Sequence, residues 1–362
     1  MNEFEATFTV ITDWQKNVHY STGGTRSKYI ALHPDENNEE YFFKGSKETP
    51  DGEIRYPTEF WSEIVSSKIG QLLGFKMLDY NIAYDKNHKQ KIGCLSKSMI
   101  LHSENKLTEG IAYLTGFNSK YNPEKDKKSY TFQFIKDALV DFDLGKYVEN
   151  IIEIIIFDSI VGNSDRHQEN WGVIMFYRKA IEQINKELTN EKLGFWDKTD
   201  MKLRRLLNQI FILLNKEDRK ITKTNLELHS DNTPHQFAPI YDSGCCLGRE
   251  HEEVKVKKMI NDSQMLTAYI NKGKSEIHWD GFGEKSKHFE LVALLLENYP
   301  EETNIYINRV KDKFDSQKIK EIIENIDSNL PNELINFKLS NSRKELMYKL
   351  ITLRIENLVE LL

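Results

Sequence analysis

The sequence has few cysteines, no long apolar run and no strong excess of charge of either sign. Three of its 362 residues are cysteines, at positions 94, 245 and 246. The adjacent pair does not have the spacing of a disulfide framework, and a reducing cytosol is the simplest environment for such a chain. We therefore predict a cytoplasmic protein and expect Cys245 and Cys246 to be packing or loop residues.

The missing features exclude several classes of protein. The apolar segment 151–157 contains Glu153, whereas a membrane-spanning helix needs about 20 mainly apolar residues. The N-terminal residues MNEFEATFTV lack the basic region and apolar core of a secretion signal. A net charge of −6 provides no global field that would attract nucleic acid or an anionic membrane. We expect neither a membrane nor nucleic acid as a direct partner.

Histidine is also too scattered for a zinc site. The chain has 10 histidines, and none forms the H-x-x-x-H pair on one helix face that would suggest zinc. No internal repeat is present. The length predicts roughly two domains or lobes with a sizeable core, and 29% charged with 39% hydrophobic residues is typical of a globular protein.

The most informative stretch is FDSIVGNSDRHQENWGVIM, residues 157–175. Asp165 is followed five positions later by Asn170, which is the spacing of the catalytic loop of protein kinases. In that loop the aspartate accepts the proton of the substrate hydroxyl and the asparagine binds Mg²⁺. The simple alternative is a turn or a helix cap, where Asp, Asn, Ser and Gly are common.

The surroundings of this loop favour the catalytic interpretation. Arg166 and His167 follow the aspartate directly, an apolar helix is predicted at 147–161, and a strand-like apolar run begins at Trp171. We interpret Arg166 and His167 as architectural residues of the loop. The same pattern therefore predicts that the preceding aspartate is the catalytic base.

A second acidic turn, APIYDSG at 238–244, follows its own short apolar run. Two polar turns at the ends of apolar segments are what a shared metal ion requires, and Mg²⁺ prefers oxygen ligands. We predict that Asn170 and Asp242 together hold Mg²⁺.

The two motifs GNSDRHQENWGV and APIYDSG resemble those of the HipA-like serine/threonine kinases, N-x-D-R-H-x-x-N and P-x-Y-D. The resemblance implies ATP- and Mg²⁺-dependent phosphorylation of a protein serine or threonine. It also implies an α/β (α+β) fold of the two-lobed protein-kinase-like type, with a small β-rich N-lobe (1–100) and a larger helical C-lobe (101–362).

Two other functions stay open. Phosphoinositide kinases share the D-R-H-x-x-N loop, so a lipid kinase is the first alternative, although no basic amphipathic stretch marks a membrane surface. A catalytically silent nucleotide-binding adaptor is the second. The sequence contains the complete set of candidate residues, Lys44, Asp165, Asn170 and Asp242, which argues against a silent protein.

The segment HYSTGGTRSKYIAL, 19–32, has the pattern strand, glycine-rich turn, strand. Glycines let backbone amides approach a phosphate closely, although Gly-Gly between two strands also suits a plain hairpin. HipA-like kinases carry a Ser-x-x-Gly-x-x-x-Lys loop here. The resemblance therefore assigns ATP phosphates to Ser21, Gly23, Gly24 and Lys28.

Lys44 lies within the predicted strand 39–46 and is either an edge residue facing water or the lysine that binds ATP. The resemblance favours ATP binding. In the predicted helix 56–75, Glu63 would be the glutamate that orients this lysine. Glu59 is the competing choice, and a solvated surface position is the alternative for either residue.

The segment KIGCLSKSM, 91–99, resembles the hinge of the family. Backbone groups near Ser96 and Ser98 would then meet the adenine edge of ATP. This role is independent of the side chains.

The separation between the two motifs is longer than HipA-like kinases generally have. Residues 177–236 are therefore predicted to be an insertion, with an amphipathic helix at 200–214. The insertion is either a helical addition packed on the larger lobe or a device that binds a partner or substrate.

The resemblance also carries expectations about biology. It implies a toxin role with an antitoxin partner, an aminoacyl-tRNA synthetase as a candidate protein substrate, and a loop serine, Ser21, that accepts phosphate from the enzyme itself. The glycine-rich loop begins about twenty residues into the chain. We therefore expect the subdomain that precedes this loop in HipA itself to be missing.

Overall fold

Alternating and β-branched residues near the N-terminus form a sheet in the computed structural model of the chain. The structure describes residues 4–17, 26–35, 39–49, 51–100, 105–190, 192–214, 223–281 and 283–362. Within these residues the strands of the first sheet are β1 (Phe8–Val10), β2 (Gln15–Asn17), β3 (Arg26–Leu32), β4 (Glu40–Lys47), β5 (Tyr80–Tyr84) and β6 (Ile92–Lys97). Their order is β1-β5-β6-β4-β3-β2, and only the β1–β5 pair is parallel.

One helix, α1 (Glu59–Leu72), packs against β4, β5 and β6. Apolar residues spaced four positions apart are buried, with Trp61, Val65 and Ile69 each at most 1% exposed. Thr58 precedes the helix, but its side chain makes no capping hydrogen bond. Gly74, with a φ of 81°, lies just beyond the helix end in the left-handed region that favours glycine.

The second, larger part of the chain is mainly helical. It has a small antiparallel sheet in the order β7-β8-β9, formed by Asn105–Glu109, Gly172–Phe176 and His235–Phe237. Its helices are α2 (Gly110–Phe117), α3 (Phe132–Asp141), α4 (Val148–Val161), α5 (Tyr177–Leu188), α6 (Phe195–Leu214), α7 (Lys223–Asn232), α8 (Glu253–Ile260), α9 (Ser263–Lys272), α10 (His288–Asn298), α11 (Pro300–Lys313), α12 (Ser316–Asn325) and α13 (Asn341–Val359). Short 3₁₀ turns occur at Lys127–Ser129, Gly145–Tyr147 and Asn332–Phe337.

The centre of the core is α4, which packs against α10, α11 and α13. Every residue from 151 to 161 is buried, which explains why this helix is apolar on all sides instead of amphipathic. Gly162 ends it in a left-handed conformation, with a φ of 70°. The chain therefore leaves a rigid, central helix directly into the predicted catalytic loop.

The segment predicted to be an insertion contains α5, α6 and α7 and joins β8 to β9. These two strands pair antiparallel, and the Phe176 amide donates to the Pro234 carbonyl at 2.9 Å. The two ends of the insertion therefore meet. Helix α6 starts at Phe195, earlier than the predicted 200–214.

The described chain has the expected fold class, a mixed α/β structure with a β-rich N-terminal part and a larger helical part. The predicted division near residue 100 falls between β6 and β7. Among the helices of the described residues, none combines the length and the apolar character needed to cross a bilayer.

Candidate active site

The loop after α4 is fixed by buried side chains. Asn163, which is fully buried, donates through Nδ2 to Asp158 Oδ1 at 3.0 Å and accepts from the Asp165 amide at 3.3 Å. His167 accepts at Nδ1 from the Glu169 amide and at its carbonyl from the Asn170 amide. These bonds support the architectural role predicted for the residues around Asp165.

Arg166 joins the two polar turns. Its guanidinium, which is 1% exposed, makes a bidentate pair with Asp158 at 2.9 and 2.8 Å. It also donates to the carbonyls of Asn170 and Tyr241 and to Ser243 Oγ, at 2.9, 2.5 and 3.0 Å. Tyr241 and Ser243 flank Asp242, so one side chain fastens the 163–170 loop to the 238–244 turn.

The charge of Arg166 is retained in this buried position. Burial alone would lower the pKa of its guanidinium, but the adjacent Asp158 carboxylate more than offsets this, and the pKa is raised above its usual value. A buried cation with all these partners serves as a structural anchor.

Asp165 is partly exposed, and its backbone carbonyl accepts from Asn170 Nδ2 at 2.7 Å. Because the amide nitrogen of Asn170 is used in this bond, the side-chain Oδ1 is the atom available for a metal ion. The loop thus presents one carboxylate and one amide oxygen.

Lys44 on β4 lies between two carboxylates. Its Nζ donates to Glu63 Oε2 at 2.9 Å and to Asp242 Oδ1 at 2.7 Å. Glu63 also accepts from the Ser243 amide at 2.8 Å. A Cβ at Gly244 would lie 2.6 Å from Glu63 Oε2, so the turn approaches α1 more closely than a side chain would allow.

The structure distinguishes the two candidate glutamates. Both are buried, at 1% and 2% exposure for Glu59 and Glu63, so neither occupies the solvated position considered above. Glu63 pairs with Lys44, whereas Glu59 forms an ion pair with Arg249 at 2.5 Å and accepts from the Lys47 amide at 2.7 Å.

Asp242 adopts a left-handed backbone conformation, with a φ of 53°. Such a conformation is uncommon outside glycine, and Asp and Asn tolerate it better than most residues. Backbone strain of this kind clusters at functional sites. Here the conformation directs the carboxylate toward Lys44.

The predicted phosphate-binding residues fall in two groups. Ser21, Gly23 and Gly24 lie outside the described residues. Lys28 is described, on β3 directly opposite Lys44 in the antiparallel ladder. Residues in opposite positions share one face of the sheet, so Lys28 lies on the same face as Lys44.

Ser96 and Ser98 use their backbones within the sheet. Ser96 is buried in β6 opposite Phe42 and Tyr80, and the Ser98 amide donates to the Glu40 carbonyl at 2.7 Å. The residues that follow them border a cavity of about 370 Å³. The cavity lies between the end of β6 and the second part of the chain. Its lining includes Lys97, Ser98 and Met99 from the first part and Ile174, Phe176 and Pro239 from the second.

Sequence reasoning missed an acidic pair beside the loop. Burial, with a contribution from the Glu169 charge, raises the pKa of Glu109 to about 7, and Lys28 opposes the shift. Glu169 occupies a variable position of the loop motif, and nothing in the local sequence marks Glu109. Cys245, which contacts Asp165, and Arg249, which contacts Cys245, were also missed.

The donor set suits Mg²⁺. No cluster of three or more His, Cys, Asp or Glu residues that could hold a metal occurs in the described part of the chain. Magnesium is usually bound by one or two protein oxygens together with phosphate oxygens and water. One amide oxygen from Asn170 and one carboxylate from Asp242 fit this pattern.

Comparison with known proteins shows that the chain is similar to one kinase both in sequence and in structure. No protein-family model matches the sequence. The serine/threonine-protein kinase CtkA of Helicobacter pylori is 22% identical over 310 residues, which cover 84% of this chain and 74% of that protein. The crystal structure of the Helicobacter pylori proinflammatory kinase CtkA matches with a TM-score of 0.65 and 20% identity, over 98% of this chain and 96% of that one.

A more distant match is HipA of Shewanella oneidensis in a complex with HipB and operator DNA. Its TM-score is 0.46 at 10% identity, over 94% of this chain and 64% of that one.

The match to the CtkA structure confirms the expected fold class. The sequence similarity to CtkA supports a kinase-like function. The motifs around Asp165 and Asp242, together with this sequence similarity, make the chain similar to the HipA-like serine/threonine kinases.

Proposed function

We propose that the protein is an ATP- and Mg²⁺-dependent protein serine/threonine kinase. Asp165 accepts the proton of the substrate hydroxyl, Lys44 binds ATP phosphates, and Glu63 orients Lys44. Asn170 and Asp242 hold Mg²⁺, which when bound neutralises charge on the phosphates.

The observation that carries the proposal is the position of Lys44 between Glu63 and Asp242, at 2.9 and 2.7 Å. A lysine, a helix glutamate and a metal-binding aspartate in mutual contact are the arrangement on which kinase chemistry depends. Arg166 adds the remaining element, because it fastens the loop of Asp165 to the turn of Asp242.

Each residue has a defined task in this proposal. Asp165 is partly exposed on a loop held from behind, so its carboxylate can meet an incoming hydroxyl. The Lys44 ammonium is a compact charge on a flexible stem, suited to a phosphate oxygen. Ser21, Gly23, Gly24 and Lys28 would complete the phosphate site.

The choice of substrate rests on the resemblance to this family. CtkA is a serine/threonine-protein kinase, and the same specificity is proposed for this chain by analogy. The cytoplasmic location, the antitoxin partner, the aminoacyl-tRNA synthetase substrate and the domain limits at residues 100, 177 and 236 stay predictions. The contacts of adenine with the backbone near Ser96 and Ser98 also stay a prediction.

The decisive experiment compares the wild type with Asp165→Asn. We expect phosphate transfer to a generic protein substrate to fall by about 10²–10⁴, the usual cost of losing a general base. ATP binding and the midpoint of thermal unfolding should not change, because the side chain lies on a loop outside the core. Near-normal activity of the variant would contradict the whole assignment.

Two additional measurements sharpen this test. A phosphoinositide substrate run in parallel distinguishes a lipid kinase from a protein kinase. Mapping phosphate by mass spectrometry in both proteins tests self-phosphorylation at Ser21. A phosphoserine carries about −1.5 to −2 charge and would repel ATP phosphates nearby. Phosphate within 21–27 only in the active protein supports self-inhibition, and phosphate in both points to another kinase.

A further inference from the structure

Cys245 contacts the proposed catalytic base. Its Sγ lies 3.0 Å from Asp165 Oδ2, in the geometry of a thiol donating to a carboxylate oxygen. The cysteine is 6% exposed and therefore shielded from water. Within the described part of the chain, the other oxygen of this carboxylate, Oδ1, accepts no hydrogen bond. The contact thus fixes one oxygen and leaves Oδ1 for a substrate hydroxyl.

The thiol is itself held by Arg249. The Nη2 atom of Arg249 donates to Cys245 Sγ at 3.0 Å. The same guanidinium pairs with Glu59 Oε1 at 2.5 Å and lies 4.4 Å from the ring centre of Tyr56. A planar guanidinium held by a carboxylate and an aromatic face has little freedom. The sulfur also has a second carboxylate acceptor, Glu59 Oε1 at 3.8 Å, and its contact with Asp165 Oδ2 is the shorter of the two.

The last residue in this series of contacts, Glu59, lies on the same helix as Glu63, which contacts Lys44. Glu59 and Glu63 are four residues apart on α1, so both lie on the same side of the helix. Glu63 reaches Lys44, and Glu59 reaches Arg249. Glu59 also accepts from the amide of Lys47, on the strand that carries Lys44. Helix α1 thus contacts the phosphate-binding lysine and, through two side chains, the base.

We propose that Cys245 is a positioning residue that orients the Asp165 carboxylate, and that the contacts Glu59–Arg249–Cys245–Asp165 couple this orientation to the position of α1. The inference rests on the proposed role of Asp165 as the base. It replaces the earlier expectation that Cys245 is only a packing or loop residue. A carboxylate rotates through a broad range about χ2, so a fixed neighbour is needed to hold it in one orientation.

The adjacent cysteine provides a matched control. Cys246 is equally buried, but its Sγ contacts Ser66 Oγ at 3.1 Å and the Ser243 carbonyl at 2.9 Å. Burial raises the pKa of its thiol, which therefore stays neutral. Cys246→Ala removes the same atom from the same turn without touching the base.

The test measures initial rates for Cys245→Ala, Cys245→Ser and Cys246→Ala, together with ATP affinity and the unfolding midpoint. For Cys245→Ala we expect an about tenfold lower kcat with unchanged KM for ATP, since misplacing a reacting group by 1 Å can cost about 10²-fold. Cys245→Ser keeps a donor and should recover most of the rate. Cys246→Ala should change kcat less than twofold.

A double variant isolates the route of the effect. If Cys245 acts only through Asp165, adding Cys245→Ala to Asp165→Asn should not lower the residual rate further. Likewise, Arg249→Met should lower the rate of the wild type but add nothing to Cys245→Ala, because neighbours in one network are not additive.

Three outcomes would overturn the inference. Cys245→Ala with wild-type kcat would show that the contact has no effect on the base. A loss shared equally by Cys245→Ser, or a parallel loss of ATP affinity and unfolding midpoint, would show packing alone. An inactive wild type would instead defeat the proposed kinase function, and the inference with it.

Discussion

Two cations of this molecule, Arg166 and Lys44, each contact carboxylate oxygens, yet they differ in exposure and in the kinds of group around them. The side chain of Arg166 is 1% exposed and donates to Asp158, to two carbonyls and to a hydroxyl. Lys44 is 13% exposed and contacts Asp242, which is 29% exposed. Arg166 is buried and its nitrogens all donate hydrogen bonds, so it holds the 163–170 loop and the 238–244 turn in place. Lys44 is more exposed, so it can exchange a carboxylate partner for a phosphate oxygen.

The charge of the two groups differs as well. Arg166 and Asp158 form a balanced pair, whereas Lys44 faces two carboxylates, Glu63 and Asp242. The excess negative charge at Lys44 is what a divalent cation would neutralise. We expect substitutions in the first group to lower fold stability, and substitutions in the second to weaken the proposed binding of nucleotide.

The largest expected effect is on stability, from Arg166→Ala. Removing the guanidinium leaves the buried Asp158 carboxylate unpaired, which typically costs about 3–5 kcal/mol. Chemical denaturation should show a lower free energy of unfolding with an unchanged slope. The exposed Arg204→Ala on α6 is the control, since surface pairs contribute about 0–1 kcal/mol. Equal free energies of unfolding for Arg166→Ala and Arg204→Ala would contradict the view that Arg166 stabilises the fold.

The next effect is on catalysis, from Lys44→Arg. The variant keeps a positive charge for both carboxylates, so unfolding should be little changed. A planar guanidinium places that charge differently from an ammonium, and we expect a rate loss of about 10²-fold. Lys68→Arg, at a buried lysine of α1 that pairs with Asp79, is the control. If both substitutions reduced the rate alike, Lys44 would have no special role.

A smaller effect is expected for Asp242→Asn, which tests the metal site. Asparagine tolerates the left-handed backbone at this position, so the substitution removes charge without adding strain. Nucleotide affinity should weaken by about tenfold, or 1.4 kcal/mol, in Mg²⁺ and much less in EDTA. Equal weakening in both conditions would identify a folding residue instead of a metal ligand.

The smallest effect concerns pH and Glu109. Its pKa is raised from 4.5 to about 7, so the folded state binds more protons than the unfolded state between these values. Stability contributed by the protonated form is therefore lost as the pH rises through about 7. Glu109→Gln should flatten this part of the stability profile, and Glu182→Gln, at an exposed position of α5, should not. If stability depended on pH in the same way in Glu109→Gln and Glu182→Gln, the raised pKa of Glu109 would be contradicted.

The local pattern of the sequence was sufficient to predict the helices, the strand and the loop that carry the candidate residues. A mainly apolar helix, a glycine and a D-x-x-x-x-N loop are contiguous, so their arrangement follows from periodicity and spacing. The helix predicted at 147–161 is α4, at Val148–Val161. The strand of Lys44 and the helix of Glu63 were predicted for the same reason.

Contacts between distant segments were beyond such reasoning. Glu59 and Glu63 lie one turn apart on a fully buried helix, and only distances to Lys44 and Arg249 separate their roles. The Cys245–Asp165 contact joins residues 80 positions apart. Neither leaves a periodic signal. The hinge role predicted near Ser96 and Ser98 also involves such contacts, because the pairing of this segment depends on the register of β6 against its neighbours.

The antiparallel closure of the insertion has a consequence for the order of folding. Asn170 and Asp242 are far apart in sequence, and closing so long a segment would ordinarily slow folding. Helices α5, α6 and α7 contact one another through short-range packing, so they can form before β8 meets β9. Once they have formed, the Phe176–Pro234 contact is the closure of a short hairpin. The effective contact order of the two polar turns is then much lower than their spacing along the chain indicates.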